Sequence, residues 1–118
     1  MIYGYENLEV YQKSYRASLY IYGLMKKLPK EEIFGIISQA KRAALSIPLN
    51  IAEGYGRRES AAEFKRYLVI AMGSCDEMRV LANFMKDLQY LTENEYAEMK
   101  ACYDEIGKML YSLHKNWS

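Results

Sequence analysis

The sequence predicts an all-α fold, an antiparallel up-down-up-down four-helix bundle, and three observations carry the prediction. Phe64, Leu68, Ala71, Cys75, Met78, Ala82 and Met85 hold strict heptad spacing, the pattern of a helix buried along one seam. Val10, Ser14, Ala17, Ile21, Leu24 and Leu28 repeat that alternation of four and three near the start of the chain. The segments between such runs are short and carry helix start and stop signals, while no stretch alternates with the period of a strand. Short connections between long helices make each sequential pair antiparallel.

The first helix is expected over residues 7–28, capped by Asn7, with Met1–Glu6 as a short arm. Leu8, Tyr11, Tyr15, Tyr22 and Met25 line a face beside its seam. The chain holds twelve tyrosines, and an apolar ring with a polar tip suits half-buried positions or subunit contacts. Pro29 ends this helix, and Glu31 and Glu32 favour the start of the next.

The second helix is expected over 31–54. Ile33, Ile37, Ala40, Ala44, Ile47 and Ile51 form its apolar seam. A polar row, Ser38, Arg42, Ser46, Asn50 and Glu53, runs along the adjacent face. Polar groups so close to a seam are either solvated or tied into a hydrogen-bonded network across helices; alternatively the Arg42 end of the row faces a ligand or subunit. Pro48 lacks an N–H and crowds the preceding turn, which predicts a bend or local tightening. Gly54 supplies permissive backbone for a helix end.

The third helix is expected over 61–88, opened by a Ser60–Glu63 capping box and widened by a second apolar row, Tyr67, Ile70, Leu81, Phe84 and Leu88. The fourth is expected over 93–115. A Thr92–Glu95 capping box opens it, with Leu91 and Tyr96 as a hydrophobic staple. Its seam is Met99, Cys102, Ile106, Met109 or Leu110, and Leu113.

A 118-residue chain with 51% apolar residues is long enough for one packed domain, here residues 1–118. Its net charge of +1 exerts no global pull toward nucleic acid or membrane. The first residues lack the apolar core of a signal peptide, and no run is long enough to span a bilayer, so a soluble cytoplasmic protein with no membrane partner is expected.

Catalytic patterns are missing. His114 is the single histidine, and position 111 is Tyr111, so the Glu-x-x-His pairs of a di-iron bundle are absent. Cys75 and Cys102 lack metal-ligand spacing and read as small buried residues. No serine is marked as an activated nucleophile. Gly54-Tyr55-Gly56 lacks the lysine and hydroxyl ending of a P-loop and follows a helix. The chain is expected to be no enzyme, with no cofactor and no metal.

Charge placement says more than charge total. Residues 39–66 carry six cations, Lys41, Arg42, Arg57, Arg58, Lys65 and Arg66, against three acids. Residues 87–107 carry six acids, Asp87, Glu93, Glu95, Glu98, Asp104 and Glu105, against the single cation Lys100. Three readings stay open: solvated helix ends, a basic rim that holds phosphates with Tyr55 stacking on a base, or basic and acidic ends that meet in a head-to-tail ring. Arg57 and Arg58 are the first candidates for phosphate contact, supported by Lys65 and Arg66, with Lys41 and Arg42 behind them.

The string EEIFGIISQAKRAALSIPLNIAEGYGR, followed by EFKRYLVIAMGSCDEM, resembles the four-helix-bundle family named after proteins encoded in intervening sequences of 23S ribosomal RNA genes, also called the S23 ribosomal protein family. The resemblance runs from Asn7–Ser14 to Lys108–Lys115, and its SQ-x-x-RAA-x-SIP-x-NIAEG pattern is specific. That family is similar to the accessory variability proteins of diversity-generating retroelements, which form pentameric barrels and contact nucleic acid and a reverse transcriptase. The resemblance implies a bacterial, non-catalytic homo-oligomer, a homopentamer, associated with RNA or a ribonucleoprotein. The alternative is a protein–protein adaptor with no nucleic-acid role.

Overall fold

The computed structural model describes residues 4–118; Met1–Tyr3, part of the expected N-terminal arm, lie outside the described residues. Four α-helices follow one another with no strand among the described residues: α1 (Glu9–Met25), α2 (Ile36–Tyr55), α3 (Ala61–Asp87) and α4 (Glu93–Asn116). They form a rod of 44 × 24 × 21 Å.

Cross-helix contacts give the direction of each helix. Between α2 and α3, Ser46 meets Ser74 and Tyr55 meets Phe64. Between α3 and α4, Arg79 meets Tyr103 and Phe64 meets Trp117. Between α4 and α1, Glu105 meets Lys13 and Glu95 meets Lys27. In each pair residue numbers rise on one helix as they fall on the other. All sequential neighbours, and α1 with α4, therefore run antiparallel.

The seams of α1 and α3 are buried throughout: Val10, Ser14, Ala17, Ile21, Leu24 and Leu28 on one, Phe64 to Met85 on the other. The apolar positions repeat every three or four residues, which keeps one stripe toward the core along the whole helix. The second row of α3 is corrected. Tyr67 is buried, but Ile70, Phe84 and Leu88 are exposed, because among the described residues α3 has only α2 and α4 as neighbours and its apolar band is wider than those contacts cover. The seam of α4 passes through Tyr103 rather than Cys102: Met99, Tyr103, Ile106 and Leu110 are buried, and Tyr103 is 1% exposed.

Several boundaries also differ from expectation. Asn7 caps nothing; Tyr5–Asn7 forms a 3-10 turn and Leu8 precedes α1 without a side-chain cap. Gln12 instead ties α1 to the turn before it, its Nε2 donating to the Glu6 carbonyl at 2.7 Å. Residues 31–35 are not α-helical. Lys30–Glu32 is a second 3-10 turn after Pro29, Gly35 breaks the backbone direction with φ −111° and ψ −113°, and Ile33 is 48% exposed instead of joining the α2 seam. The Glu32 carboxylate still serves α2, accepting from the Ile36 N–H at 3.3 Å and from the Tyr90 hydroxyl at 2.9 Å.

Pro48 is buried inside α2, which continues past it to Tyr55. Gly54 does not end the helix. A Cβ at Gly54 would lie 2.6 Å from Cβ of Tyr67 and 3.1 Å from Cδ1 of Phe64, so glycine is there to let α2 and α3 approach. At the start of α3 only half the expected box forms: the Ser60 hydroxyl accepts from the Glu63 N–H at 3.2 Å, while the Glu63 side chain pairs with Arg66. The Thr92–Glu95 box is complete. Between these helices Gln89 takes the left-handed conformation, φ 64°. The Tyr90 and Gln89 N–H groups donate to Met85 and Lys86 carbonyls, which is a Schellman ending with glutamine where glycine is usual.

Candidate nucleic-acid interface

The antiparallel arrangement brings the α2–α3 turn and the end of α4 to one pole of the rod. The turn is built from tight backbone bonds, Arg57 N–H to Gly54 O and Arg58 N–H to Tyr55 O among them. These push Arg57 and Arg58 outward, where both are exposed. Trp117, just past α4, closes an aromatic cluster below them: its ring lies 4.7 Å from Phe64 and 6.2 Å from Tyr55, both edge-to-face.

Three guanidinium groups rest on two tyrosine rings at this pole. Arg58 lies 4.2 Å over Tyr55 and donates through Nη1 to the Tyr55 carbonyl at 2.9 Å. Arg57 and Arg66 lie 5.4 and 4.6 Å from the centre of Tyr67. Stacking on a ring fixes the plane of a guanidinium while leaving N–H groups at its rim available to an anion. Arg66 is also held by Glu63, with Nε at 3.1 Å and Nη2 at 3.4 Å from the carboxylate oxygens. That hydrogen bond, and then the charge behind it, keeps the Glu63 carboxyl below its ordinary pKa. Lys65 stands beside them at the start of α3 and makes no ion pair among the described residues. Arg58 lies over one face of Tyr55, and Phe64 and Trp117 meet the ring at steep angles.

Lys41 and Arg42 are elsewhere. Arg42 lies thirteen residues before the end of α2 at Tyr55, which is roughly 20 Å along the axis. Lys41 Nζ lies 5.0 Å over the ring of Tyr22 on α1. Arg42 is exposed with no ion pair among the described residues. The six cations therefore divide into a cluster of four and a distant pair. In the polar row, Ser46 and Asn50 form a network, and its third member is Ser74 of α3. The Ser74 hydroxyl donates to Ser46 Oγ at 2.8 Å, and Asn50 Nδ2 donates to Ser46 Oγ and O at 3.0 and 2.8 Å. Ser38 and Glu53 stand outside it.

The acids of 87–107 are largely consumed in holding α4. Glu95 pairs with Lys27, Glu105 with Lys13 at 3.3 Å, Asp104 with Arg79 at 3.6 Å, and Glu98 accepts from the Tyr20 hydroxyl at 3.4 Å. Cys75 and Cys102 are free thiols. Burial pushes the Cys75 thiol up to about 11, only partly offset by the Arg79 charge, which leaves it a weak hydrogen-bond donor to the Tyr103 carbonyl at 3.0 Å. No group of three or more His, Cys, Asp or Glu converges among the described residues. No helix there is long and apolar enough to cross a membrane.

Trp117 is the site residue that sequence reading missed. An aromatic just past the final apolar period is the signal that marks it, and only the fold puts it beside Tyr55. The chain is similar to a crystal structure of a protein of unknown function from the S23 ribosomal protein family of Bacteroides thetaiotaomicron, with a TM-score of 0.82 at 30% identity over 91% of this chain and 96% of that one. No curated protein matches it. Residues 6–112 match the family model of the 23S rRNA-intervening sequence protein, and the chain belongs to that family.

Proposed function

We propose that the protein is a non-catalytic, homo-oligomeric scaffold that binds RNA or a ribonucleoprotein through the pole formed by the α2–α3 turn, with five copies as the count the family resemblance implies. The observation that carries the reading is the set of stacked guanidiniums, Arg57, Arg58 and Arg66, with Lys65 beside them. Planes fixed in advance lose less freedom on meeting a phosphate, and their N–H edges match its oxygens in pairs. Lys41 and Arg42 belong to a different surface and are left out of the phosphate site. The description of the family, which refers to 23S rRNA, is in keeping with an RNA partner.

Binding of a fluorescent structured RNA, followed by anisotropy, tests this. Four phosphate contacts predict that affinity falls about a hundredfold between 50 and 200 mM salt. R57E/R58E should abolish most of the binding at either salt. Retention of RNA by that variant, together with loss of the oligomer, would transfer the charges to assembly and establish the adaptor reading in its place.

A further inference from the structure

Two faces of the rod are apolar, exposed and different in shape. The first is a groove between α1 and α2, edged by Tyr15, Leu19, Tyr22, Leu45 and Leu49, with buried Pro48 beneath and a volume of about 270 Å³. Leu19 is 59% exposed. The second is a ridge on α3. Val69, Gly73, Val80 and Phe84 recur at steps of four, seven and four, which lines them up opposite the core seam, with exposed Ile70 alongside. Phe84 is 57% exposed. Single exposed apolar residues need no explanation, but aligned rows on both faces mark contact surfaces.

Their charges are complementary. Arg42 lines a neighbouring depression that shares Leu45 and Leu49 with the groove and has Glu53 one turn beyond Leu49, and Lys41 sits at the groove's end over Tyr22. The ridge carries Glu77, exposed and without an ion pair among the described residues. The single cation between positions 69 and 84 is Arg79, which is turned to Asp76 and α4. Gly73 is open, with nothing within 4 Å of a Cβ placed there, so a neighbouring helix can come close at the middle of the ridge.

We propose that the α3 ridge of one copy seats in the α1–α2 groove of the next, head to tail, with Glu77 facing Arg42 across the contact. This rests on the homo-oligomer reading and names the surfaces that make it. One repeated contact covers both apolar faces of every copy. Because the faces differ, the contact is heterologous, and copies add in one direction until a ring closes. Neither face includes Arg57, Arg58, Lys65 or Arg66, so each copy keeps its basic pole free and the assembly multiplies a modest single-site affinity.

The test is the molar mass by light scattering of wild type, L49D, F84D and an equal mixture of the two variants, with helicity checked by circular dichroism. Val80→Lys replaces F84D should that variant fail to fold. L49D retains a ridge and F84D retains a groove. Each alone should be monomeric, and the mixture should form a dimer of one chain of each kind and nothing larger. E77R should raise the dissociation constant by roughly tenfold or more, and R42E in the same chain should restore it. A ridge variant that alone keeps the wild-type mass, or a mixture that stays monomeric, overturns the assignment of faces. A monomeric wild type overturns the homo-oligomer reading itself and leaves the faces for a different protein partner.

Discussion

Between α2 and α3 the contacts include a glycine and short hydroxyl side chains beside aromatic rings, whereas those between α1 and α4 include long charged pairs. The first seam closes on Gly54, with no room for a Cβ, and on the Ser46–Ser74–Asn50 network. The second is spanned by Lys13–Glu105, Lys27–Glu95 and Tyr20–Glu98. It opens at one end into a cleft of about 480 Å³ lined by Leu8, Val10, Met109 and Leu113. Close backbone approach through small residues gives dense, inflexible packing. Exposed ion pairs bridge a gap without filling it and contribute little each. The basic pole is built on the dense seam. The stacked arginines therefore rest on the densely packed seam, while the α1–α4 cleft opens at the same end of the rod, beside Leu113 and Asn116.

The strongest way to break this contrast is Gly54→Ala. The new methyl group has to displace Tyr67 and Phe64, and overpacking of this kind costs about 2–3 kcal/mol, read as a lower urea midpoint at unchanged slope. The same substitution at Gly23 on α1 meets nothing within 4 Å and should raise stability by about 0.5–1 kcal/mol through helix propensity. Because Tyr67 carries Arg57 and Arg66, G54A should also weaken RNA binding. A G54A protein as stable as wild type would mean that the α2–α3 seam yields as easily as its counterpart.

The helices were legible because their seams repeat every three or four residues, and all seven heptad positions of α3 from Phe64 to Met85 are buried. What failed to show was whatever depends on a neighbour. Gly54 reads as a helix stop until α3 lies against it. Ser74 has no partner until Ser46 faces it. The six cations look contiguous in sequence, although α2 holds Lys41 and Arg42 far from the turn. Spacing alone admits Cys102 as readily as Tyr103, one residue away, and a tyrosine's polar tip suits a half-buried position. Tyr103 is instead among the largest fully buried side chains, and its hydroxyl has no hydrogen-bond partner among the described residues. Burial raises that hydroxyl's pKa far above the ordinary value, so it remains protonated. An unpaired buried hydroxyl is costly, and removing it as Tyr103→Phe should leave stability unchanged or raise it by about 1 kcal/mol. A fall of that size would show that the hydroxyl is engaged, and that α4 depends on it as much as α2 depends on its serine network.

The α1–α4 seam can be sharpened through Glu95, which closes the capping box of α4 and pairs with Lys27. The Lys27 hydrogen bond, then the Thr92 backbone bond, hold its pKa below the ordinary value of 4.5. A carboxylate depressed in the folded state adds stability that is fully present above the unfolded value. That stability disappears as pH falls through the lower folded value. Lys27→Ala should cost under about 1 kcal/mol, and the loss should shrink in 1 M salt, since the pair is partly exposed. Glu95→Gln should remove both that contribution and its acid dependence. In the wild type, as the pH falls below 4.5, amides of α1 facing α4 should lose hydrogen-exchange protection before those of α3, because the Glu95–Lys27 pair fails while Gly54 and the serines do not titrate. Simultaneous loss of protection on both sides of the rod would mean that the two seams unfold as one unit, and that the long side chains between α1 and α4 close the bundle as firmly as the short ones between α2 and α3.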